Sequence, residues 1–223
     1  MWIKFSILML VAVINVALSF IIWKRNKNKD KARLYFSLMC FSAGLWSISL
    51  GLMFLDVSIF FYTLSVKGNY IFSTCIFIFF MFFCSEFLYK VKNKILNYLA
   101  LLLFLTTLPI IFTNFLFKKI YFYEGLLRYD PNLIMHLLYG FFFLLIFFYS
   151  YHILFLKYKN SQGINQSRIL LIIIGTLISF IFGIYFDWVV LYVNQYHLFW
   201  IGPVFMIIMN SSVAYLLFKK ENE

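Results

Sequence analysis

Residues 175–192 read GTLISFIFGIYFDWVVLY. The stretch is almost wholly apolar, yet it carries Asp187. An apolar run of about 18 residues or more is long enough, at about 1.5 Å per residue, to cross a hydrocarbon layer roughly 30 Å thick. The same pattern recurs along the chain. Seven runs can be counted, at Trp2–Trp23, Leu34–Leu55, Asn69–Tyr89, Ile95–Asn114, Ile134–Leu156, Ile169–Tyr192 and Leu198–Phe218. None alternates with the period of two that a membrane β-barrel strand requires. A backbone facing lipid must satisfy its own hydrogen bonds, so the runs are expected to be helices.

Composition agrees. Of 223 residues, 64% are hydrophobic, 23% aromatic and only 12% charged. Soluble domains average about 25% charged residues. The expected fold is therefore all-α: one domain over residues 1–223, an integral membrane bundle of seven transmembrane helices in contact with the lipid bilayer.

The basic residues set an orientation. KRNKNKDKAR (24–33) follows the first run, Lys90, Lys92 and Lys94 the third, Lys157, Lys159 and Arg168 the fifth, and Lys219 and Lys220 the seventh. These are fourteen of the nineteen basic residues; the opposite side holds Lys4, Lys67, Lys118, Lys119 and Arg128. The positive-inside rule then places the N-terminus outside and the C-terminus in the cytoplasm. The net charge of +11 is read as a topology signal meeting anionic lipid, with no nucleic acid partner. The first run is too long, and its positive cluster on the wrong side, for a cleavable signal peptide. Cys40, Cys75 and Cys84 all fall inside runs and form no C-x-x-C, which argues for buried packing over a disulfide or metal framework.

Small residues form stripes. Gly175, Ser179 and Gly183 stand four apart, and the next step of four is Asp187. Ala43, Ser47 and Gly51 repeat this in the second run, beside Trp46. Residues four apart share a helix face, and small ones let two helices approach. Asp187 therefore faces the bundle, about 7–8 Å below the outer end. That position suits a hydrated carboxylate, one paired with Lys67, Arg128 or His136, the wall of an outward-facing pocket, or an oligomer contact. Asn15 and Asn210 fall within runs and are expected to hydrogen-bond between helices. His136, His152 and His197 are too scattered to be metal ligands. The connection FLFKKIYFYEGLLRYDPNLI (115–134) is expected to lie on the outer surface as an amphipathic loop.

Enzyme signatures such as H-E-x-x-H, G-x-S-x-G and G-x-x-x-x-G-K-[ST] do not occur. The seventh run has no lysine before Lys219, which removes a retinal Schiff base of the rhodopsin kind. The reading is a non-enzyme with no cofactor.

The order of these features resembles the N-terminal seven-transmembrane sensory region of bacterial histidine kinases and related diguanylate cyclases. The likeness rests on AGLWSISLG (43–51), LPIIFTN (108–114), QSRILLIIIG (166–175) with an aspartate near the outer end of that helix, and IGPVFMIIMNSSVAYLLFKK (201–220). It departs where the family often has a histidine three residues after Thr-Asn; here Phe117 stands. The resemblance implies a receptor module in a bacterial inner membrane. A small ligand would bind among the outer helix ends, and a cytoplasmic kinase or cyclase output protein would receive the signal. Asp187 and Asn114 are the expected polar ligand contacts, Trp46 an aromatic wall, and Asn210 an interhelical latch. A homodimer stays open, as does whether residues 1–223 stand alone or belong to a longer chain. The alternative is a small transporter or channel subunit, which Pro109 and Pro203 would serve as helix breaks.

Overall fold

The computed structural model describes residues 2–26, 29–55, 57–91, 94–113, 117–123, 126–186, 190 and 198–219. Among them are seven long helices: α1 (Trp2–Lys24), α2 (Lys31–Leu52), α3 (Ile59–Glu86), α4 (Lys94–Phe112), α5 (Leu133–Lys159), α6 (Gly163–Ile184) and α7 (Ile201–Lys219). Five of them, α1, α2, α3, α5 and α6, are long and apolar enough to cross a membrane, and α7 is a shorter apolar helix. A two-stranded antiparallel hairpin, β1 (Phe117–Tyr123) and β2 (Leu126–Pro131), joins α4 to α5.

Helix α2 lies between α1 and α3; α3 meets α5, α5 meets α6, and α6 meets α7. Contacts of α7 with α1 and α2 close the ring, and α4 packs outside it against α3 and α5. The outward faces are oily. Ile3, Leu10, Val13 and Phe20 of α1, Ile134, Phe141 and Phe148 of α5, and Ile174 and Ile181 of α6 are all exposed. In water such faces would far exceed the patches a soluble monomer tolerates; lipid is their natural solvent.

Inside, small and polar residues let the helices close up. A Cβ on Gly51 would come within 2.7 Å of Met9 Cε, and one on Gly44 within 2.7 Å of Val16 Cγ2 and 3.2 Å of the Ala12 carbonyl. These two glycines set the α1–α2 approach. Ala43 and Ser47 are fully buried on α2, and Ser47 Oγ donates back to the Ala43 carbonyl at 2.8 Å. Across the same interface Ser37 Oγ donates to the Ser19 carbonyl at 3.0 Å. Asn210 Nδ2 on α7 donates to Asn15 Oδ1 on α1 at 2.5 Å, and Asn15 Nδ2 donates to the Val11 carbonyl at 3.0 Å. Both asparagines are 0% exposed, and Asn210 Oδ1 has no hydrogen-bond partner among the described residues.

The structure departs from the sequence expectations at four places. The third helix begins at Ile59, not Asn69. Lys67 and Gly68 look like loop residues in sequence, but Gly68 is a close-contact position: its Cβ would stand 2.7 Å from Ser49 Oγ of α2. The connection expected to be a loop pairs as the hairpin, because Leu127 and Tyr129 are buried on one face while Arg128 and Asp130 alternate with them. Pro203 does not break α7. It sits in the first turn, where its missing N–H leaves nothing unbonded.

The fourth departure is Lys157, a loop charge by its place in the sequence, which is 0% exposed. Its Nζ donates to the carbonyls of Ser85 (2.9 Å), Phe87 (2.6 Å) and Tyr89 (2.6 Å), closing off the C-terminal end of α3. A cation is favoured there because the helix dipole leaves its last carbonyls negative. Nearby, Glu86 and Lys90, four residues apart, form a local ion pair at 3.6 Å.

Candidate functional site

Near the hairpin end the ring of helices does not close completely. A cavity of about 90 Å³ remains, walled by α2, α3, α5, α6 and α7, with Tyr129 of β2 above it. Helical periodicity builds each wall. From α3 come Asn69, Ser73, Ile76 and Phe80, with Tyr70 and Phe77 beside them; from α5 come His136, Tyr139, Phe143 and Phe147. Steps of three, four and seven keep each set on one face. Helix α6 supplies Thr176, Ser179, Phe180, Gly183 and Ile184; α2 supplies Met39 and Trp46; and α7 supplies Met206 and Met209.

The end of the cavity nearer the hairpin is polar. The Tyr70 hydroxyl shares a hydrogen bond with His136 Nε2 and lies 3.4 Å from the Tyr129 hydroxyl, so α3, α5 and the hairpin meet at one point. Below it the Tyr139 hydroxyl donates to the Tyr70 carbonyl at 3.2 Å and lies 2.8 Å from Ser73 Oγ and 3.2 Å from Thr74 Oγ1. Trp46 Nε1 donates to Asn69 Oδ1, tying α2 to α3. On the far wall Ser179 Oγ donates to the Phe205 carbonyl of α7 at 2.8 Å, and the Tyr151 hydroxyl lies 2.6 Å from Thr176 Oγ1. Buried polar groups of this kind must be paired, and these pair with one another.

The floor is aromatic. Phe147 and Phe180 stack with ring centroids 3.3 Å apart, and Phe77 and Phe143 lie 3.6 Å apart. One column of rings thus links α3, α5 and α6 directly under the polar end.

Of the residues singled out in sequence as ligand contacts, Trp46 lines this cavity and is 5% exposed. Asp187 and Asn114 lie outside the described residues. Of the packing stripe on α6, Gly175 touches α7, with Ser212 Cβ 3.8 Å from where its own Cβ would be, and Ser179 bonds to α7. A Cβ on Gly183, the third residue of that stripe, would meet nothing within 4 Å among the described residues, and Gly183 lines the cavity. His136 is held by the Tyr70 hydroxyl.

Sequence reasoning passes over Asn69, Tyr70, Ser73 and Tyr139. Tyrosines near a helix end read as interface anchors, and Asn69 reads as the start of a span. The signal that the sequence does carry is the 136–139–143–147 spacing, which lays a histidine, a tyrosine and two phenylalanines along one face. Among the described residues no group of three or more His, Cys, Asp or Glu could hold a metal ion.

Among known families, the model described as the N-terminal 7TM region of histidine kinase matches residues 7–221. No curated protein and no solved structure matches the chain.

Proposed function

The chain belongs to the family of N-terminal 7TM regions of histidine kinases, and we propose that it is the sensory input module of a membrane receptor, with the cavity under the hairpin as its ligand site. All seven helices cross the bilayer, with the N-terminus and the hairpin outside and the C-terminus in the cytoplasm. The basic connections 24–33 and 90–94 and the exit at 219–220 support that orientation. Residues 1–223 act as one unit in a bacterial inner membrane, and a kinase or cyclase output reads the position of α7. The module itself performs no chemistry. Asp187 and Asn114, the expected polar contacts at the outer helix ends, stay in the proposal as groups that a ligand meets on its way into the cavity, and two such modules paired as a homodimer would present two α7 exits to the output.

One observation carries the reading. The cavity is walled by five helices at once, and α7, the helix that leaves toward the output, is one of the five. A molecule that fills the space touches the output helix directly.

The test uses the protein in lipid nanodiscs and small-molecule fractions from the medium in which its cells grow. An active fraction raises the thermal midpoint of the wild type and fails to do so for Gly183→Phe, whose side chain occupies the cavity. If vesicles bearing the protein pass a solute down its gradient, and Gly183→Phe stops that flux, the cavity is a transport path and the sensor reading is wrong.

A further inference from the structure

The cavity wall also states what kind of molecule it accepts. None of its described lining residues is Asp, Glu, Lys or Arg. An unpaired ion buried there would lose its hydration with no counter-charge to replace it. The part of a ligand seated among these residues is therefore uncharged.

Size follows from the space. A cavity near 150 Å³ holds benzene; this one, at about 90 Å³, is smaller. Met39, Met206 and Met209 form its yielding side. Methionine is unbranched and adapts to irregular space at little cost. A single ring is thus the largest body that the inner space takes, and it fits when those methionines shift.

The hydrogen-bonding character is set by Trp46. An indole N–H can only donate, so its partner must turn a carbonyl oxygen toward it. It is Asn69 Oδ1 that accepts this bond. The amide orientation is thereby fixed, and Asn69 Nδ2 has no partner among the described residues. The hydroxyls opposite are committed as donors elsewhere: Ser179 to Phe205 O, Thr176 to Ile172 O. The uncommitted donor on this wall is Asn69.

We propose that the cavity recognises a small uncharged molecule with an apolar body no larger than one ring and a single hydrogen-bond acceptor, which Asn69 Nδ2 reads. The inference rests on the cavity being the ligand site.

Four probes of matched shape test it in nanodiscs, with empty nanodiscs as the partition control: benzyl alcohol, toluene, benzoate and benzylammonium. Binding is read as a saturable change in tryptophan fluorescence. Benzyl alcohol binds tightest, toluene roughly fivefold weaker for want of one hydrogen bond, and the two ions at least about a hundredfold weaker. Asn69→Leu brings benzyl alcohol down to the level of toluene. Asn69→Asp keeps an acceptor for Trp46 but replaces the donor with a carboxylate, and moves the preference to benzylammonium. Gly183→Phe, or the smaller Gly183→Leu, removes binding of all four.

Benzoate or benzylammonium binding the wild type as tightly as benzyl alcohol, and lost in Gly183→Phe, would overturn the ligand class and leave the site standing. Saturable binding that both Gly183 variants leave untouched, or none by any probe, would overturn the site and the class with it.

Discussion

Replacing Lys157 with methionine tests whether a buried ammonium holds the end of α3 in place. The wild-type Nζ has three carbonyl partners, at 2.9, 2.6 and 2.6 Å, and stands 4.9 Å from the centre of the Tyr89 ring. Not all three carbonyls would be stranded by its loss. Ser85 O also accepts from Val91 N at 2.9 Å and Phe87 O from Tyr89 N at 2.9 Å. Tyr89 O is the one left without a protein donor among the described residues. Taken near the low end for charge-assisted bonds, three of them come to about 4–5 kcal/mol. Methionine escapes the cost of keeping an ammonium out of water, which returns part of that sum. The net loss for Lys157→Met is then about 2–3 kcal/mol, and Lys157→Ala loses about 1–2 kcal/mol more for the space it leaves. Reversible unfolding in mixed detergent micelles measures both, and amide exchange over residues 85–91 shows whether the loss is local. A Lys157→Met protein as stable as wild type would mean that the aliphatic stem alone matters and that the carbonyl cage contributes nothing.

Other substitutions have equally definite expectations. Gly44→Ala and Gly51→Ala push a methyl to within 2.7 Å of α1 side chains and should each destabilise the bundle by about 1–3 kcal/mol; Gly175→Ala, with its nearest neighbour at 3.8 Å, should be tolerated in the same unfolding assay. Asn15→Leu leaves Asn210 wholly unpartnered in the core, whereas Asn15→Leu with Asn210→Leu removes both polar groups, so the double variant should be the more stable of the two in a double-mutant cycle. Tyr70→Phe deletes the hydroxyl that joins α3, α5 and the hairpin, and amide exchange at Tyr129 should speed up while exchange at Tyr151 does not.

Long apolar runs name helices with little ambiguity, which is why the seven helices are legible in the amino-acid sequence. Their ends are less so. Lys67 and Gly68 interrupt the apolar pattern, and nothing in sequence says that Gly68 is small because Ser49 is near. The hairpin is hidden for a related reason: Leu127 and Tyr129 alternate with Arg128 and Asp130 too briefly to separate a strand from an amphipathic loop. Of the ligand contacts expected from sequence, Trp46 is the one among the described residues, and it lines the candidate site as a large polar-tipped ring in a stripe of small residues. Asn69, Tyr70 and Tyr139 become a site through partners on other helices, and a single chain of letters does not record which tyrosine faces which histidine. Lys157 shows the converse. It reads as one of several loop lysines, and only the fold reveals that its ammonium is enclosed.

How the cavity could drive an output is a question of differential affinity. A ligand shifts a two-state bundle only as far as it binds one state better than the other, and moving the population from 1:99 to 99:1 takes about a 10⁴-fold preference. The single hydrogen bond to Asn69 supplies roughly fivefold, far too little. Burying one ring supplies more: at about 0.8 kcal/mol per carbon, six carbons are worth about 5 kcal/mol, a preference of several thousandfold. The lever must then be whether the cavity is open or collapsed, with Asn69 setting identity and the apolar volume setting the switch. That assigns α7 its part. Met206 and Met209 line the cavity, Asn210 beside them is tied to Asn15, and near the other end Arg33 Nη2 donates to the Leu217 carbonyl at 3.4 Å. A cavity that opens by moving the two methionines moves the helix turn that bears Asn210. The Asn15–Asn210 bond is therefore the contact that would differ between the two states of the proposed sensor. A variant that removes it, Asn15→Leu with Asn210→Leu, should change the midpoint of the response rather than abolish binding.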